Sequence, residues 1–345
     1  MIKKECFTAE WIEQVSSELH YNDKNLIEKV IRALSLLEML VKAGCPLVFK
    51  GGTALMLILG KSAHRLSIDI DLICPPGTNI EDYLKSFADF GFINLELVER
   101  KQRDDADIPK SHSKFFYQIA YRNDTDAQSY ILLDVLYEDI HYFRTQQIAI
   151  NCPFIRLEGK PLMVTVPSAE DILGDKLTAF APNTTGIPYY KNGRSCSMEI
   201  AKQLYDVGRL FENVSDLQIT KEAFRKIAVV ELSYRSFGTD IGQVFNDIRQ
   251  TALCISTRGK AGEGDFDLIQ DGIIRVKSFM YKQRYLIDHA IIDAARAAYL
   301  ATLIEKGIYE IESYSNNPAD IKDMVIRPSL PNKLNKPVSY THLTL

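Results

Sequence analysis

Residues 49–73 read FKGGTALMLILGKSAHRLSIDIDLI, an apolar stretch that opens on a Gly pair and closes on two aspartates one residue apart. Carboxylates are almost never fully buried without a partner. Asp69 and Asp71 therefore call for a metal ion, a basic partner or exposure at a sheet edge. Just upstream, CPLVFKGG is a short apolar run ending in Gly-Gly, which predicts a strand entering a tight turn. TALMLILG predicts one or two turns of buried helix. LSIDIDLI alternates strictly, so it predicts a strand with Ser67, Asp69 and Asp71 on one face and Leu66, Ile68, Ile70 and Leu72 on the other.

Two aspartates on one strand face converge on a point above the sheet. Magnesium takes oxygen ligands in near-octahedral geometry, commonly a few carboxylates completed by substrate phosphates. A third carboxylate is available in ILLDVLYE, where Asp134 interrupts an apolar β run; Glu138 and Asp139 are nearby alternatives. Three clustered carboxylates would repel one another and raise their pKa values, a conflict that a divalent cation removes. The Gly pair fits the same scheme. Gly51 and Gly52 let backbone N–H groups approach a phosphate, and a helix starting near Thr53 presents its positive dipole end. Lys50, Thr53 and Arg65 are polar groups near this corner. Each piece also has a plainer reading: an exposed strand face for Asp69 and Asp71, one salt bridge for Asp134. The ordered set carries more than its parts: strand, Gly-Gly, short helix, D-x-D strand, later Asp-bearing strand.

Around this centre, NLIEKVIRALSLLEMLVKAG has apolar residues at three- and four-residue intervals and predicts a helix stopping at Gly44. NIEDYLKSFADFG (79–91) predicts an amphipathic helix. INLELVER (93–100), KFFYQIAYR (114–122) and SYILLDVLYED (129–139) predict strands, with another near PLMVTV before Pro167. From Ser168 the pattern turns helical: SAEDILGDKLTAF, MEIAKQLYDVGRLFE, KEAFRKIAVVELSYRSF, IGQVFNDIRQTALCIS and YLIDHAIIDAARAAYLATLIEKG. Ser168 and Asp171 make a capping-box-like start to the first of these. TRGKAGEGDFD reads as a charged, Gly-rich loop. The expected organisation is an α/β lobe with a mixed sheet over residues 1–167, a helical lobe over 168–330, and a tail over 331–345. The final VSYTHLTL reads as translated adapter sequence and is set aside with His342, so the natural C-terminus is expected to lie elsewhere.

The chain has 345 residues, 46% hydrophobic and 25% charged, enough for two domains. A net charge of −4 gives no global sign of nucleic-acid binding, so any RNA partner requires locally concentrated basic residues. RSFGTDIGQVFNDIRQ and GIIRVKSFMYKQRY interleave Arg and Lys with aromatics, fitting either a basic groove or ordinary surface helices. The six cysteines lack CxxC spacing and several sit in apolar runs, as reduced thiols of a cytoplasmic protein do. No apolar run is long enough to span a bilayer and the start lacks an apolar signal core, so no membrane partner is expected. His20, His64, His112, His141 and His289 show no metal-ligand spacing.

The ordered set resembles the nucleotidyltransferase superfamily built on the polymerase-beta-like core. More narrowly, KGGTAL, RLSIDIDL, EDILGDKLTAF and QLYDVGRL resemble the AbiEii-type nucleotidyltransferase toxins of abortive infection, over about residues 45–215. The resemblance assigns Gly51, Gly52 and Thr53 to the phosphate turn and Arg65, Ser67, Asp69 and Asp71 to the metal strand. Asp134 becomes the third carboxylate, with Glu138 and Asp139 as alternatives. Lys176 becomes the helical-lobe lysine that neutralises the β- or γ-phosphate. Asp206 becomes the acid on the following helix that orients Lys176 or holds the sugar. From the residues alone, Lys176 and Asp206 read as ordinary surface positions of amphipathic helices. One departure is that AKQLYD offers only Lys202 where relatives often carry a basic–acidic pair.

The resemblance implies transfer of a nucleoside monophosphate from an NTP, with pyrophosphate release, at a site between the lobes. Asp69 and Asp71 would bridge two Mg2+ (or Mn2+) ions, with Asp134 on the ion that activates the attacking hydroxyl. It also implies a bacterial toxin with a separately encoded antitoxin and an RNA acceptor, the 3′ end of tRNA. Competing expectations are a small-molecule nucleotidyltransferase, a non-catalytic nucleotide-binding module acting through a partner, and a structural or interaction protein.

Overall fold

The computed structural model describes residues 1–97, 110–122, 127–234 and 240–311. The chain divides into two units. The first comprises Met1–Ile172 and Lys277–Arg284; the second comprises Leu173–Val276 and Tyr285–Leu345. The tail at 331–345, the end of the strand expected at 93–100 and the RSFGT that opens one basic segment lie outside the described residues.

The first unit begins with α1 (Ala9–Glu18) and α2 (Lys24–Lys42), capped by Thr8 and Asp23, whose side chains accept from Trp11 and Leu26 N–H. There follow β1 (Val48–Lys50), α3 (Gly51–Leu59), β2 (Ile70–Cys74), β3 (Asn94–Leu97), β4 (Lys110–Gln118), β5 (Gln128–Tyr137), β6 (Thr145–Ala149) and β7 (Met163–Pro167). Five strands form one sheet in the order β1-β2-β5-β4-β3, and β6 pairs with β7. The sheet is mixed: β2 and β5 run parallel, and the other pairs are antiparallel.

Alternation sorts the sheet into two faces. Phe115, Tyr117, Ile131, Leu133, Val135, Ile70 and Leu72 are buried in one core with Ile27, Ile31 and Leu34 of α2. Tyr130, Leu132, Asp134 and Leu136 alternate with them on β5 and keep partial exposure. Two charges inside the core are paired: Glu28 and Arg32 of α2 lie 3.3 Å apart. Glu28 accepts the Ala120 N–H at 3.1 Å and Arg32 donates to the Gly91 carbonyl at 3.1 Å. Such buried ions persist only when their remaining hydrogen-bonding capacity is met.

Three expectations are revised here. The helix expected at 79–91 is two 3-10 turns, Ile80–Tyr83 and Phe87–Phe90, the second stopped by Gly91 in the left-handed region. β2 starts at Ile70 rather than Leu66, because the Leu66 N–H bonds to the Phe279 carbonyl at 2.8 Å and Arg65 bridges to Met280. The returning segment Lys277–Arg284 thus claims the backbone that a longer β2 would use. β4 is displaced toward the N-terminus of the expected run, and β6 was not foreseen.

The chain passes into the second unit within α4 (Ala169–Ala179). Asp171, fully buried, accepts from the Ser168 hydroxyl and from the Phe143 and Arg144 N–H groups, at 2.6, 2.6 and 3.0 Å, which secures the start of α4. A short hairpin, β8 (Tyr190–Lys191) with β9 (Arg194–Ser195), turns through Asn192 and Gly193, both at positive φ. Then come α5 (Ser197–Phe211), α6 (Leu217–Ser233), α7 (Ile241–Ser256), α8 (Phe266–Val276) and α9 (Ile287–Lys306). α5 packs against α8 and α9, and α7 against α9. Close approach of α8 to the start of α5 requires Gly272, where a Cβ would stand 2.1 Å from the Ser197 carbonyl. α8 occupies part of what the sequence suggested as an aromatic-basic segment. Among the described residues no helix is long and apolar enough to cross a membrane.

Candidate active site

Strand register places four ionisable residues in one row across the first unit's sheet. Lys50 on β1 faces Asp71 on β2, Asp71 faces Asp134 on β5, and Asp134 faces His112 on β4. Directly opposed residues on neighbouring strands share a face. Two like charges side by side repel, and here the cationic Lys50 and an imidazole flank them. His112 Nδ1 is 2.5 Å from Asp134 Oδ1, with the His112 side chain 14% and that of Asp134 37% exposed. Asp134, rather than Glu138 or Asp139, therefore lies opposite Asp71. Glu138 follows the end of β5 and faces His141 Nε2 at 3.8 Å, and Asp139 is exposed.

The Gly pair belongs to the same corner. Gly51 has φ of 78°, and a Cβ there would stand 2.1 Å from Asp71 Oδ2. At Gly52 a Cβ would stand 2.7 Å from Ser67 Oγ and 3.0 Å from Arg65 Nη2. The turn is thus built so that side chains leading into β2 lie against its backbone. Thr53 is fully buried, and its hydroxyl donates to the Asp69 carbonyl at 2.7 Å. Its side chain supports the aspartate strand from inside, where a nucleotide contact was expected of it. Arg65 is 6% exposed and donates through Nη1 to the Leu66 carbonyl at 3.0 Å, so it also buttresses the corner.

Asp69 sits one residue before β2. Its charge acts on Lys29 of α2: burial pushes the Lys29 ammonium down, and Asp69 and then Asp23 oppose that shift. Among the described residues, no three His, Cys, Asp or Glu side chains form a ready-made metal cage. The sheet brings Asp71 and Asp134 together and leaves Asp69 next in line, an oxygen-only donor set beside a backbone cradle. That set fits a magnesium-type ion, which keeps waters and shares its sphere with substrate phosphates, better than it fits a closed protein site.

In the second unit, Lys176 of α4 and Asp206 of α5 form an ion pair of 3.0 Å, and Lys176 Nζ also donates to Gln203 Oε1 at 2.9 Å. Both charged residues are buried, at 7% and 1% exposure, so neither is the surface position that helix periodicity alone suggests. His112, Gln203 and Lys29 were not among the expected site residues. The parity of KSHSKFFY puts His112 on one face with Lys114 and Phe116, but only register puts it opposite Asp134.

Comparison with known proteins adds the family. The profile described as nucleotidyl transferase AbiEii toxin, type IV TA system, matches residues 34–305. No curated protein matches the chain. Among solved structures, the chain is similar to JHP933 from Helicobacter pylori, at 17% identity over 81% of this chain and 94% of the other, with a TM-score of 0.43. It is likewise similar to MenT4, a nucleotidyltransferase toxin from Mycobacterium tuberculosis H37Rv, at 14% identity over 85% and 89%, with a TM-score of 0.42. The family profile, spanning most of the chain, carries the assignment: this protein belongs to the AbiEii nucleotidyltransferase toxins of type IV toxin–antitoxin systems.

Proposed function

We propose that this toxin transfers a nucleoside monophosphate from an NTP to the 3′ end of RNA, with tRNA as the acceptor class, and releases pyrophosphate. The observation that carries the reading is the opposition of Asp71 and Asp134 beside the Gly51 backbone. Asp71 and Asp134, with Asp69 adjacent, would hold Mg2+ or Mn2+. When bound, such an ion neutralises phosphate charge and eases deprotonation of the attacking hydroxyl.

The remaining work falls to the chain. The Gly51–Gly52 backbone and the start of α3 present N–H groups and a positive dipole end to the phosphates. Lys50 balances the carboxylate row from one side. His112 holds Asp134 in one orientation from the other, so a carboxylate oxygen is positioned before substrate arrives. Thr53 fixes the backbone that presents Asp69. Lys176, paired with Asp206 and bonded to Gln203, would neutralise charge on the β- or γ-phosphate. The family further supports an antitoxin as the protein partner.

The test is incubation with each labelled NTP, Mg2+ and total RNA. Wild type is expected to label RNA 3′ ends and release pyrophosphate. Asp71→Asn and Asp134→Asn are expected to slow transfer on the order of 10³-fold. Pyrophosphate release with unlabelled RNA would move the acceptor to a small molecule. Host toxicity retained by Asp71→Asn would replace catalysis with a binding role.

A further inference from the structure

The open face of β5 carries a second group of residues beyond the carboxylate row. Phe116 on β4 faces Tyr130 on β5. Their rings lie 5.7 Å apart between centroids, tilted at 56°. Tyr130 is 39% exposed, unusual for a large aromatic within a strand, and Phe116 is half-buried. Two ammonium groups stand over the same ring: Lys29 Nζ is 5.3 Å and Lys114 Nζ 5.6 Å from the Tyr130 centroid. Lys114 also meets the Glu96 carboxylate at 3.3 Å.

The position of this group follows from the sheet. β2 pairs with β5 only from Ile70, opposite Leu133, so Tyr130 lies beyond the end of that pairing. Lys29 reaches it from α2. Tyr130 and Asp134 share a face four residues apart on one strand, a separation of about 13 Å. A partly exposed aromatic ring with cations held over it suits a flat π-surface attached to phosphates: the base takes the place of the ammonium groups on the ring, and they move to its phosphates. In a chain with a net charge of −4, two lysines on one ring are a local feature and not a general basicity.

We propose that Tyr130 and Phe116 form a stacking platform for an unpaired base of a single-stranded RNA end, with Lys29 and Lys114 taking the phosphates beside it. This rests on the RNA-acceptor reading above and names the subsite that would hold the acceptor strand next to the carboxylate row. A sequence-tolerant stacking contact of this kind favours single strands over duplex, because paired bases hide their faces.

The experiment measures fluorescence anisotropy of a 5′-labelled single-stranded RNA oligonucleotide, and of a blunt duplex of the same sequence, without NTP. Wild type is expected to prefer the single strand. Tyr130→Ala should weaken single-strand binding roughly tenfold, while Tyr130→Phe keeps it within about twofold. Lys114→Gln should lower the slope of log affinity against log salt by about 0.7. Stabilisation against heat by Mg2+ plus NTP, measured in parallel, should be the same in all three variants, which confirms their fold. The platform is overturned if Tyr130→Ala binds the single strand as tightly as wild type, or if wild type binds duplex as well as single strand. If that happens while wild type labels RNA, the reaction stands and only the platform falls. If Tyr130-dependent binding is found but no RNA is labelled, the platform stands and the acceptor assignment falls.

Discussion

Lys176 and Asp206 are joined in a 3.0 Å ion pair with side chains only 9% and 2% exposed, on consecutive helices of the second unit. Removing one member leaves the other charge in a poorly solvated place. Lys176→Met and Asp206→Asn should each destabilise by about 3 kcal/mol. The double variant should lose clearly less than the sum, since the pair is a coupled unit. Urea unfolding of the four proteins measures this, and additive losses would mean that the two residues act independently.

Gly51 combines a left-handed backbone with a carboxylate at its Cα. Gly51→Ala should cost about 1–2 kcal/mol in backbone strain. Its larger effect should be on activity, because the new methyl displaces Asp71. Nucleotide transfer should fall by a far larger factor than thermal stability suggests, comparable to Asp71→Asn. Assaying both variants beside their melting curves separates the two effects.

Thr53 is placed to position rather than to bind. Thr53→Val removes the hydroxyl that bonds to the Asp69 carbonyl at 2.7 Å and should destabilise by about 1–2 kcal/mol. The turnover rate should fall while KM for NTP stays near the wild-type value, and Thr53→Ser should restore turnover. A rise in KM alone would instead indicate direct contact with the nucleotide.

Asp293 of α9 predicts a pH effect on stability. The residue is 1% exposed, and its Oδ1 lies 3.3 Å from Arg296 and 3.9 Å from Arg209. Burial outweighs the pull of Arg209 and Arg296, helped by the charge of Glu212, and raises the carboxyl from 3.8 to about 6. The native state thus keeps a proton that the unfolded chain has already lost. Stability contributed by that proton is complete below 3.8 and fades as pH rises to about 6, by roughly 3 kcal/mol. Asp293→Asn should flatten this part of the stability–pH curve relative to wild type, which denaturation at several pH values between 4 and 7 would show. Gly208→Ala tests the same cluster sterically: its Cβ would stand 1.9 Å from Asp293 Oδ1, so a large loss of stability is expected.

Local chemistry made much of this legible from the sequence. The Gly-Gly after a short apolar run, the apolar octet behind it and the alternation of LSIDIDLI were enough to foresee β1, α3 and a following strand that carries Asp71. The helical pattern after Ser168 likewise yielded α4, α5, α6, α7 and α9, because periodicity of apolar residues is a property of each segment. The exceptions have distant causes. The shortened β2 answers to Phe279, and the inward turn of Thr53 answers to a carbonyl on the next segment.

The sequence by itself determined which residue types could do the chemistry and which face of its own strand each would occupy, since both follow from neighbours along the chain. Tertiary structure alone decided that Asp134 stands opposite Asp71, that His112 holds it, and that Lys176 and Asp206 meet out of water. Those are matters of register and helix packing between segments far apart in the chain. A slip of one residue would have sent Asp134, if in β5, or Asp71, if in β2, to the core, so the hydrophobic alternation of the whole sheet selects the partner that no local pattern names.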